Sequence, residues 1–183
     1  MTTKKAGSER DRAPRSSAMK VTLKQATAAQ AVAIAKLRMA TNEKLTRDFG
    51  RGPWTSTVTE KGVLSAMRTG RVYVAQDGRT IIGTLQLTTR KPWAIDKKYF
   101  SKCERPLYLL AMAVAPDRQR HGIGRAMLED VKRVVKAWPG DAIWLDAYDL
   151  PGGGGEFYAK CGYREMGRVT YRGAPLIYYE LPM

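Results

Sequence analysis

Residues 107–138 read LYLLAMAVAPDRQRHGIGRAMLEDVKRVVKAW, and this stretch decides the fold. The apolar run Leu107–Val114 predicts a buried strand. Pro116 ends that strand, because proline has no N–H to donate to a neighbouring strand. From Ile123 to Trp138 the apolar residues return at a spacing close to 3.6, which predicts an amphipathic helix. The stretch therefore predicts a strand, a short basic turn and a long helix.

The turn between the strand and the helix has the composition of an anion site. Gly122 and Gly124 allow the backbone to turn tightly where the helix begins. The first turn of a helix presents N–H groups without intrahelical partners and the positive end of the helix dipole. Arg118, Arg120 and Arg125 add positive charge around the same point. We therefore expect this turn to bind an anion, and a phosphate group fits best.

Length and composition predict one globular domain. The 183 residues are enough for a single domain with a proper core and hardly enough for two. Residues 1–18 are basic and poor in apolar side chains, which predicts a disordered tail before a domain at residues 19–183. Cys103 and Cys161 form no metal or disulfide pattern, so no metal site is predicted and a reducing cytoplasm is favoured. No run of eighteen apolar residues exists, so no membrane span is predicted.

The chain has a formal net charge of +15, and its lysines and arginines are spread along the sequence. A basic surface attracts polyanions, including nucleic acids and phosphorylated cofactors. No helix-turn-helix, RNA-recognition or zinc-finger pattern accompanies the charge, so no specific nucleic-acid partner is predicted. A solvated cationic surface and a functional basic patch both remain open.

The first part of the chain predicts a strand, two helices and a hairpin. Val21–Gln25 alternates apolar and polar residues, as a half-buried strand does. Capping boxes at Thr27 with Gln30 and at Thr57 with Glu60 predict two helix starts, the first helix ending into a loop at Arg47–Trp54 and the second stopping at Gly70. Asp77-Gly78 predicts a tight hairpin between strands Arg71–Gln76 and Thr80–Leu87. Residues 90–106 follow as a long polar loop.

The part of the chain after the central helix predicts one more buried strand, a short helix and a final hairpin. These elements are Ile143–Tyr148, then Glu156–Cys161 closed by Gly162, and then Tyr163–Val169 and Pro175–Leu181 joined at Arg172-Gly173. The predicted order is β-α-α-β-β-β-α-β-α-β-β. This is an α/β fold with one mixed sheet.

A strand, a glycine turn and a helix also begin a dinucleotide-binding fold. Asp146 ends the next strand 22 residues after Gly124, where an acid that binds ribose would stand. The fingerprint requires three glycines, however, and Met127 occupies the third position. A hairpin also precedes the strand, where a nucleotide-binding half would have a βαβ unit. These departures disfavour the dinucleotide interpretation.

Two motifs resemble those of the GCN5-related N-acetyltransferase (GNAT) superfamily. The segment Gln119-Arg-His-Gly122-Ile-Gly124 is similar to motif A of the family, which is Gln or Arg, two residues, Gly, any residue, then Gly or Ala. Phe157-Tyr158-Ala-Lys-Cys-Gly162-Tyr163 resembles its motif B. The distance from Asp146 to Phe157 also matches that from the fifth strand to motif B. The resemblance covers about residues 20–181, and it implies a single-domain acyl-CoA N-acyltransferase fold, a mixed and mostly antiparallel sheet with splayed central strands.

The resemblance implies that acetyl-CoA, as acyl donor, lies where the fourth and fifth strands splay apart. The pyrophosphate would accept N–H bonds from the glycine turn, and the backbone of the fourth strand would hold the pantetheine arm. His121, the only histidine, is expected to act there as a backbone donor. The implied contacts are Met112, Ala113 and Val114 for the arm, and Gln119, Arg120, His121, Gly122, Ile123, Gly124, Arg125 and Ala126 for the pyrophosphate.

The resemblance implies direct attack of an amine on the thioester, with Tyr158 at the general-acid position. A phenol with a pKa near 10 can donate a proton to a developing thiolate. The family often has a carboxylate on the fourth strand that acts as the general base, and Leu107–Val114 contains no carboxylate. Glu104, which precedes that strand, is the candidate catalytic carboxylate, while Asp146, Asp149 and a water chain remain open as alternatives.

The predicted activity is N-acetylation of a primary amine in a small molecule or a peptide, in the cytoplasm. The alternative is a non-catalytic module of the same fold that binds CoA or a polyanion. The loops Phe49–Trp54 and Trp93–Phe100 carry aromatic and basic residues, which favours an acceptor with apolar or acidic parts. The sequence assigns neither the acceptor nor a role to the Gly152–Gly155 run, and it leaves monomer and homodimer open.

Overall fold

The computed structural model describes residues 21–183, so the predicted tail at residues 1–18 lies outside the described residues. The helices are α1 (Ala31–Phe49), α2 (Glu60–Thr69), α3 (Ile123–Ala137) and α4 (Gly155–Lys160), with single 3₁₀ turns at Ala28–Gln30, Lys97–Tyr99 and Pro116–Arg118. The strands are β1 (Lys24–Gln25), β2 (Arg71–Asp77), β3 (Thr80–Thr88), β4 (Pro106–Val114), β5 (Ala142–Tyr148), β6 (Arg164–Tyr171) and β7 (Ala174–Pro182). This is the predicted order of elements.

One sheet of seven strands runs through the molecule in the order β1-β2-β3-β4-β5-β7-β6. Every neighbouring pair is antiparallel except β4 and β5, which are parallel and joined through α3. A parallel connection needs a crossover, and the amphipathic helix after the glycine turn supplies it. The predicted fold class, a mixed and mostly antiparallel α/β sheet with flanking helices, is confirmed.

The two parallel strands separate soon after they begin. Their pairing runs from Pro106 with Ala142 to Tyr108 with Trp144. Beyond that point β4 continues to Val114 and β5 to Tyr148 on diverging paths. A bulge in β4 contributes to the separation, because its register against β3 shifts and Ala111 has a φ of 49°. The sheet therefore has a wedge-shaped gap between the carboxyl ends of β4 and β5.

Helices cover both faces of the sheet. On one face, Val131 and Val135 of α3 pack with Leu109 of β4 and Leu145 of β5 in the largest buried cluster, against which α4 also packs. On the other face, Ile34 of α1 and Val63 of α2 pack against β2. Successive strand residues point to opposite faces. The position of a side chain along β4 or β5 therefore decides which side of the gap it lines.

Several predicted element boundaries differ from the structure. The first strand is only Lys24–Gln25, both exposed, where a half-buried strand Val21–Gln25 was predicted. The second helix is capped by Thr59, whose side chain accepts from the N–H of Gly62 at 3.1 Å, and the predicted cap at Thr57 is wrong. Helix α1 continues through Phe49 before Gly50 ends it, so the predicted loop begins later. The hairpin turn is Gly78-Arg79, since Asp77 still pairs with Thr80. The capping box at Thr27 and Gln30 is confirmed.

Among residues 21–183, no helix is both long enough and apolar enough to span a membrane.

Candidate active site

The turn between β4 and α3 presents a row of unused backbone donors. Within residues 21–183, the N–H groups from Gln119 to Arg125 have no acceptor, and the first helical bond is donated by Ala126 to Gly122 at 3.0 Å. Gly122 has a φ of 80° and Arg120 a φ of 66°. Such left-handed residues beside helical ones direct consecutive N–H groups into one concave surface, which binds anions. The turn at the mouth of the gap therefore has free N–H groups and the left-handed residues that are typical of anion-binding turns.

The three predicted arginines do not all face this turn. Arg118 forms an ion pair with Asp77 of the β2–β3 turn, with a nitrogen-to-oxygen distance of 3.4 Å. Arg125 donates from Nη2 to the carbonyl oxygen of Lys160 at 2.8 Å, which ties the start of α3 to the end of α4. Arg120 and His121 are exposed and make no hydrogen bond or ion pair with the rest of the described chain. Arg120 is therefore the arginine that is free to meet an anion.

Two contacts hold the turn against the gap. The side-chain amide of Gln119 donates to the carbonyl oxygen of Val114 at 3.0 Å, so the turn begins directly at the end of β4. A Cβ added to Gly124 would lie 3.0 Å from Cζ of Phe157 and 3.6 Å from Cε of Met112. Gly124 is thus needed for close packing of α3 against α4, and only Gly122 has a positive φ. The sequence did not predict this contact between the two motifs.

Tyr158 reaches from α4 to β4. Its hydroxyl donates to the thioether sulfur of Met112, with an oxygen-to-sulfur distance of 3.9 Å. Its ring packs edge-on against Tyr163 at a centroid distance of 5.8 Å and beside Tyr179 at 5.9 Å. Burial raises the pKa of Tyr158 well above its usual value, and the carboxylate of Asp146 raises it further. The hydroxyl is therefore protonated at neutral pH and bonded to a weak acceptor.

The three candidate carboxylates lie in different places. Glu104 is exposed and precedes the end of β4 that is paired with β5, whereas the gap opens at the other end. Asp149 forms an ion pair with Arg168 at 2.7 Å. Asp146 is half-buried on β5 beyond the last pair with β4, and within residues 21–183 it makes no ion pair. Burial raises the pKa of Asp146, and its charge is felt by Tyr158 across the gap.

The Gly152–Gly155 run follows β5 closely, and Gly153 has no room for a side chain. A Cβ on Gly153 would lie 1.8 Å from the carbonyl oxygen of Tyr148, and Gly154 forms a parallel bridge with Tyr148. A Cβ on Gly152 would lie 3.0 Å from Phe49 and 3.2 Å from Trp54. The loop after α1 thus packs over the loop after β5.

The second predicted recognition loop, Trp93–Phe100, mostly packs against the sheet. Ile95 and Phe100 are buried, and Phe100 stacks on Trp144 of β5 with a centroid distance of 4.4 Å. The hydroxyl of Tyr178 on β7 donates to the carbonyl oxygen of Ala94. Trp144 and Tyr178 lie on the face of the sheet that Asp146 shares, since Asp146 pairs with Tyr178. Trp93 alone among the loop's large aromatic residues is exposed.

No three His, Cys, Asp or Glu side chains in the described part of the chain are placed to hold a metal ion. Cys103 and Cys161 are free thiols. The arrangement at the gap therefore consists of an N–H cradle, a protonated phenol and an unpaired carboxylate.

Comparisons with known proteins agree with this geometry. The model of a family described as an acetyltransferase (GNAT) domain matches residues 68–165. That range includes the glycine turn, Tyr158 and the whole gap. No curated protein matches the sequence.

Solved structures share the fold at low sequence identity. An acetyltransferase of the GNAT family from Streptococcus agalactiae has a TM-score of 0.73 and 13% identity, covering 89% of this chain and 95% of that chain. A GCN5-related N-acetyltransferase from Rhodopseudomonas palustris has a TM-score of 0.68 and 17% identity, covering 93% and 100%. A Salmonella typhimurium protein described as an acetyltransferase, with its cofactor acetyl-CoA, has a TM-score of 0.63 and 14% identity, covering 90% and 94%. These likenesses show the fold alone.

Proposed function

We propose that this chain, which belongs to the GNAT acetyltransferase family, transfers an acetyl group from acetyl-CoA to a primary amine of a small molecule or peptide by direct attack. One observation carries the proposal. The gap between β4 and β5 has free N–H groups at its mouth and the protonated hydroxyl of Tyr158 inside it. An anion site and a proton donor on the same cleft are what transfer from an anionic thioester requires.

The residues around the gap fit acetyl-CoA. The N–H groups from Gln119 to Arg125 can donate hydrogen bonds to the pyrophosphate oxygens, with Arg120 free to add charge. The backbone of Met112–Val114 has no strand partner on the side of β5. Apart from the carbonyl of Val114, which accepts from Gln119, it can bond to the amides of the pantetheine arm as a further strand would. Acetyl-CoA, when bound, supplies the thioester carbonyl that the amine attacks.

Tyr158 is proposed to donate its proton to the sulfur of the departing thiolate. Thiolate leaves poorly unless it is protonated, so a positioned acid increases the rate. The present partner of the hydroxyl is the sulfur of Met112, a weak acceptor that a thiolate can replace without a buried group losing a strong bond. Burial raises the pKa of Tyr158, so the phenol keeps its proton at neutral pH. The same shift makes the phenol a weaker acid toward a thiolate, so the position of the hydroxyl beside the sulfur has to supply the catalytic advantage.

Asp146 is proposed as the general base, in place of Glu104. A lysine-like amine with a pKa of ~10.4 is deprotonated in roughly one molecule in 2,500 at pH 7, a cost of about 4.6 kcal/mol. Asp146 lies on the part of β5 that is not paired with β4, and on the face with α1, opposite the face that carries Tyr158. An amine that enters from that side would meet the carboxylate before the thioester, and the proton can pass directly or through one water.

Amine-dependent release of CoA tests the proposal. Purified protein is given acetyl-CoA and a panel of primary amines, and free CoA and the acetylated amine are measured together by mass spectrometry. We expect the two products in equal amounts with at least one amine. Tight CoA binding without turnover on every amine would instead identify a binding module.

A further inference from the structure

Arg38 of α1 is partly buried, and part of its guanidinium has no partner among the described residues. Its Nε and Nη2 atoms are buried and have no hydrogen-bond partner among residues 21–183. Burial lowers the pKa of Arg38 to about 10, with no charged group offsetting it. A buried charge without a partner is strongly destabilising, and a ligand of opposite charge would remove that cost. None of the steps proposed above uses Arg38.

The position of Arg38 follows from how α1 crosses the sheet. Ile34, one turn before it, packs with Val72 and Val74 of β2. Thr41, one turn after it, places Oγ1 3.3 Å from the carbonyl oxygen of Val114 on β4. Arg38 lies between these two points, which puts it over β3 on the side of the sheet that carries Asp146.

A second buried polar atom without a partner lies in the same layer. Oγ1 of Thr84 on β3 is buried and has no hydrogen-bond partner among the described residues. Thr84 pairs with Val74 on one side and with Ala113 on the other. Val74 packs against α1, so Thr84 faces α1 as well. Ala113 belongs to the strand proposed to hold the pantetheine arm, so this layer adjoins the gap.

Other arginines of this chain show which group the unpaired Nε and Nη2 atoms of Arg38 would bind. Arg133 binds the carboxylate of Asp130 through Nε and Nη2, each at 2.8 Å. Arg105 binds Asp141 through the same two atoms, at 3.2 and 2.8 Å. These atoms form the side of the guanidinium that matches two carboxylate oxygens. In Arg38 the same pair is buried and unused.

We propose that Arg38 and Thr84 bind a carboxylate of the acceptor, so that the substrate is a small amine carrying a carboxylate a few bonds from its nitrogen. The inference rests on the proposed function. The distance from β3 across β4 to the gap is one to two strand spacings, roughly 5–10 Å. An amine and a carboxylate separated by three to five carbons span that distance. Asp146 then accepts the proton of an amine whose other end Arg38 has fixed.

Matched pairs of amines test the proposal. The rate of CoA release is measured with 5-aminopentanoate and with pentylamine, which lacks only the carboxylate. We expect kcat/KM to be about 10- to 100-fold higher for the amino acid, the range typical of a charged hydrogen-bonded contact. Arg38→Met and Thr84→Val should lower kcat/KM for 5-aminopentanoate toward the value for pentylamine and leave pentylamine unchanged. Arg47→Met is the control, since its side chain on the same helix is 72% exposed.

A binding measurement separates this inference from the proposed function. Glutarate, which has no amine, should raise the melting temperature of the wild type and of Arg47→Met and not that of Arg38→Met. Equal kcat/KM for the two amines, with no shift by glutarate, would overturn the carboxylate site and leave the acetyltransferase intact. The absence of CoA release with every amine would overturn the proposed function. The change in melting temperature with glutarate would still show whether Arg38 binds a carboxylate. If Arg38→Met does not fold, the inference is tested by Thr84→Val and by the comparison of 5-aminopentanoate with pentylamine in the wild type.

Discussion

The hydroxyl of Tyr158 on α4 donates to the sulfur of Met112 on β4, 3.9 Å away, across the gap that separates β4 from β5. Two residues 46 positions apart in sequence thereby meet at the gap between β4 and β5. The packing of Phe157 against Gly124 and the bond from Arg125 to Lys160 hold α4 in position for this contact. The proton donor and the anion site are consequently joined by direct contacts between α3 and α4.

Tyr158→Phe should reduce kcat about 100-fold or more, the usual contribution of a general acid, and change acetyl-CoA affinity little. The ring and its packing remain, while the proton for the leaving sulfur is lost. Stopped-flow or steady-state CoA release gives kcat, and titration calorimetry gives the affinity.

Tyr163→Phe is the matched control for that substitution. Tyr163 is buried beside Tyr158, and its hydroxyl has no hydrogen-bond partner among residues 21–183. Its removal should leave kcat unchanged and leave the melting temperature unchanged or higher. An unaltered kcat in Tyr158→Phe, or equal losses in both variants, would contradict the acid assignment.

Gly122→Pro should weaken acetyl-CoA binding more than it lowers kcat at saturation. It removes one N–H from the anion turn, and proline cannot adopt the φ of 80° found there. Equilibrium binding of CoA gives the affinity. Gly78→Pro is the comparison, because Gly78 also has a positive φ, 59°, in a hairpin turn that belongs to no proposed site. Both should lose stability, and a similar loss of CoA affinity in Gly78→Pro would show that global damage is the cause.

Asp146→Asn should lower kcat/KM and remove the part of its pH dependence that reports ionisation of Asp146. Since burial raises the pKa of Asp146, the wild-type rate should rise as pH passes that raised value. Glu104→Gln tests the carboxylate that the sequence favoured as the base, and it should leave kcat/KM unchanged. A rate loss in Glu104→Gln with none in Asp146→Asn would overturn the assignment.

Asp146 should also affect stability in a pH-dependent way. The folded-state pKa lies above the unfolded value, so folding favours the protonated form. The stability that this provides is complete below the unfolded pKa of about 3.9 and is lost as pH rises through the folded pKa. Asp146→Asn should therefore gain stability relative to the wild type as pH is raised toward neutrality. Chemical denaturation at pH 4 and pH 7 measures the difference, and a relative gain at the lower pH would contradict it.

Gly153→Ala should destabilise the protein by about 3 kcal/mol or more, because the added Cβ would lie 1.8 Å from the carbonyl oxygen of Tyr148. Thermal denaturation gives the loss. Gly62→Ala is the control: its Cβ would lie 3.5 Å from Thr59 Oγ1 inside α2, so it should stabilise by about 0.5–1 kcal/mol. A stable Gly153→Ala would mean that the loop after β5 does not follow the strand closely.

The local elements of this fold were predictable from sequence. Leu107–Val114, the glycine turn and α3 are defined by an apolar run, a positive-φ glycine and a helical period, all within one short stretch. The end of α4 at Gly162 is likewise a local signal, since its φ is 87°. The helix start at Thr59 was missed, because Thr57 with Glu60 gives the same sequence pattern and only the bond to Gly62 distinguishes them.

The features that make the site are mostly not local. Whether β4 and β5 stay paired depends on a bulge at Ala111 that no residue type specifies. The choice between Glu104 and Asp146 depends on which end of the strands opens, and sequence order does not reveal that. Arg38 looks like an ordinary exposed residue of an amphipathic helix. Only the packing of α1 over β3 shows that its guanidinium is buried and unpaired.

A single-turnover transfer experiment tests the central claim most directly. Protein is saturated with acetyl-CoA that carries a labelled acetyl group and is mixed with excess amine, and the label is followed in the amine, the cofactor and the protein. Direct attack in the gap predicts that the label moves to the amine in one exponential phase, with none on protein, and that Tyr158→Phe slows this phase. Label that remains in acetyl-CoA with every amine, or that appears first on Cys103 or Cys161, would contradict the account.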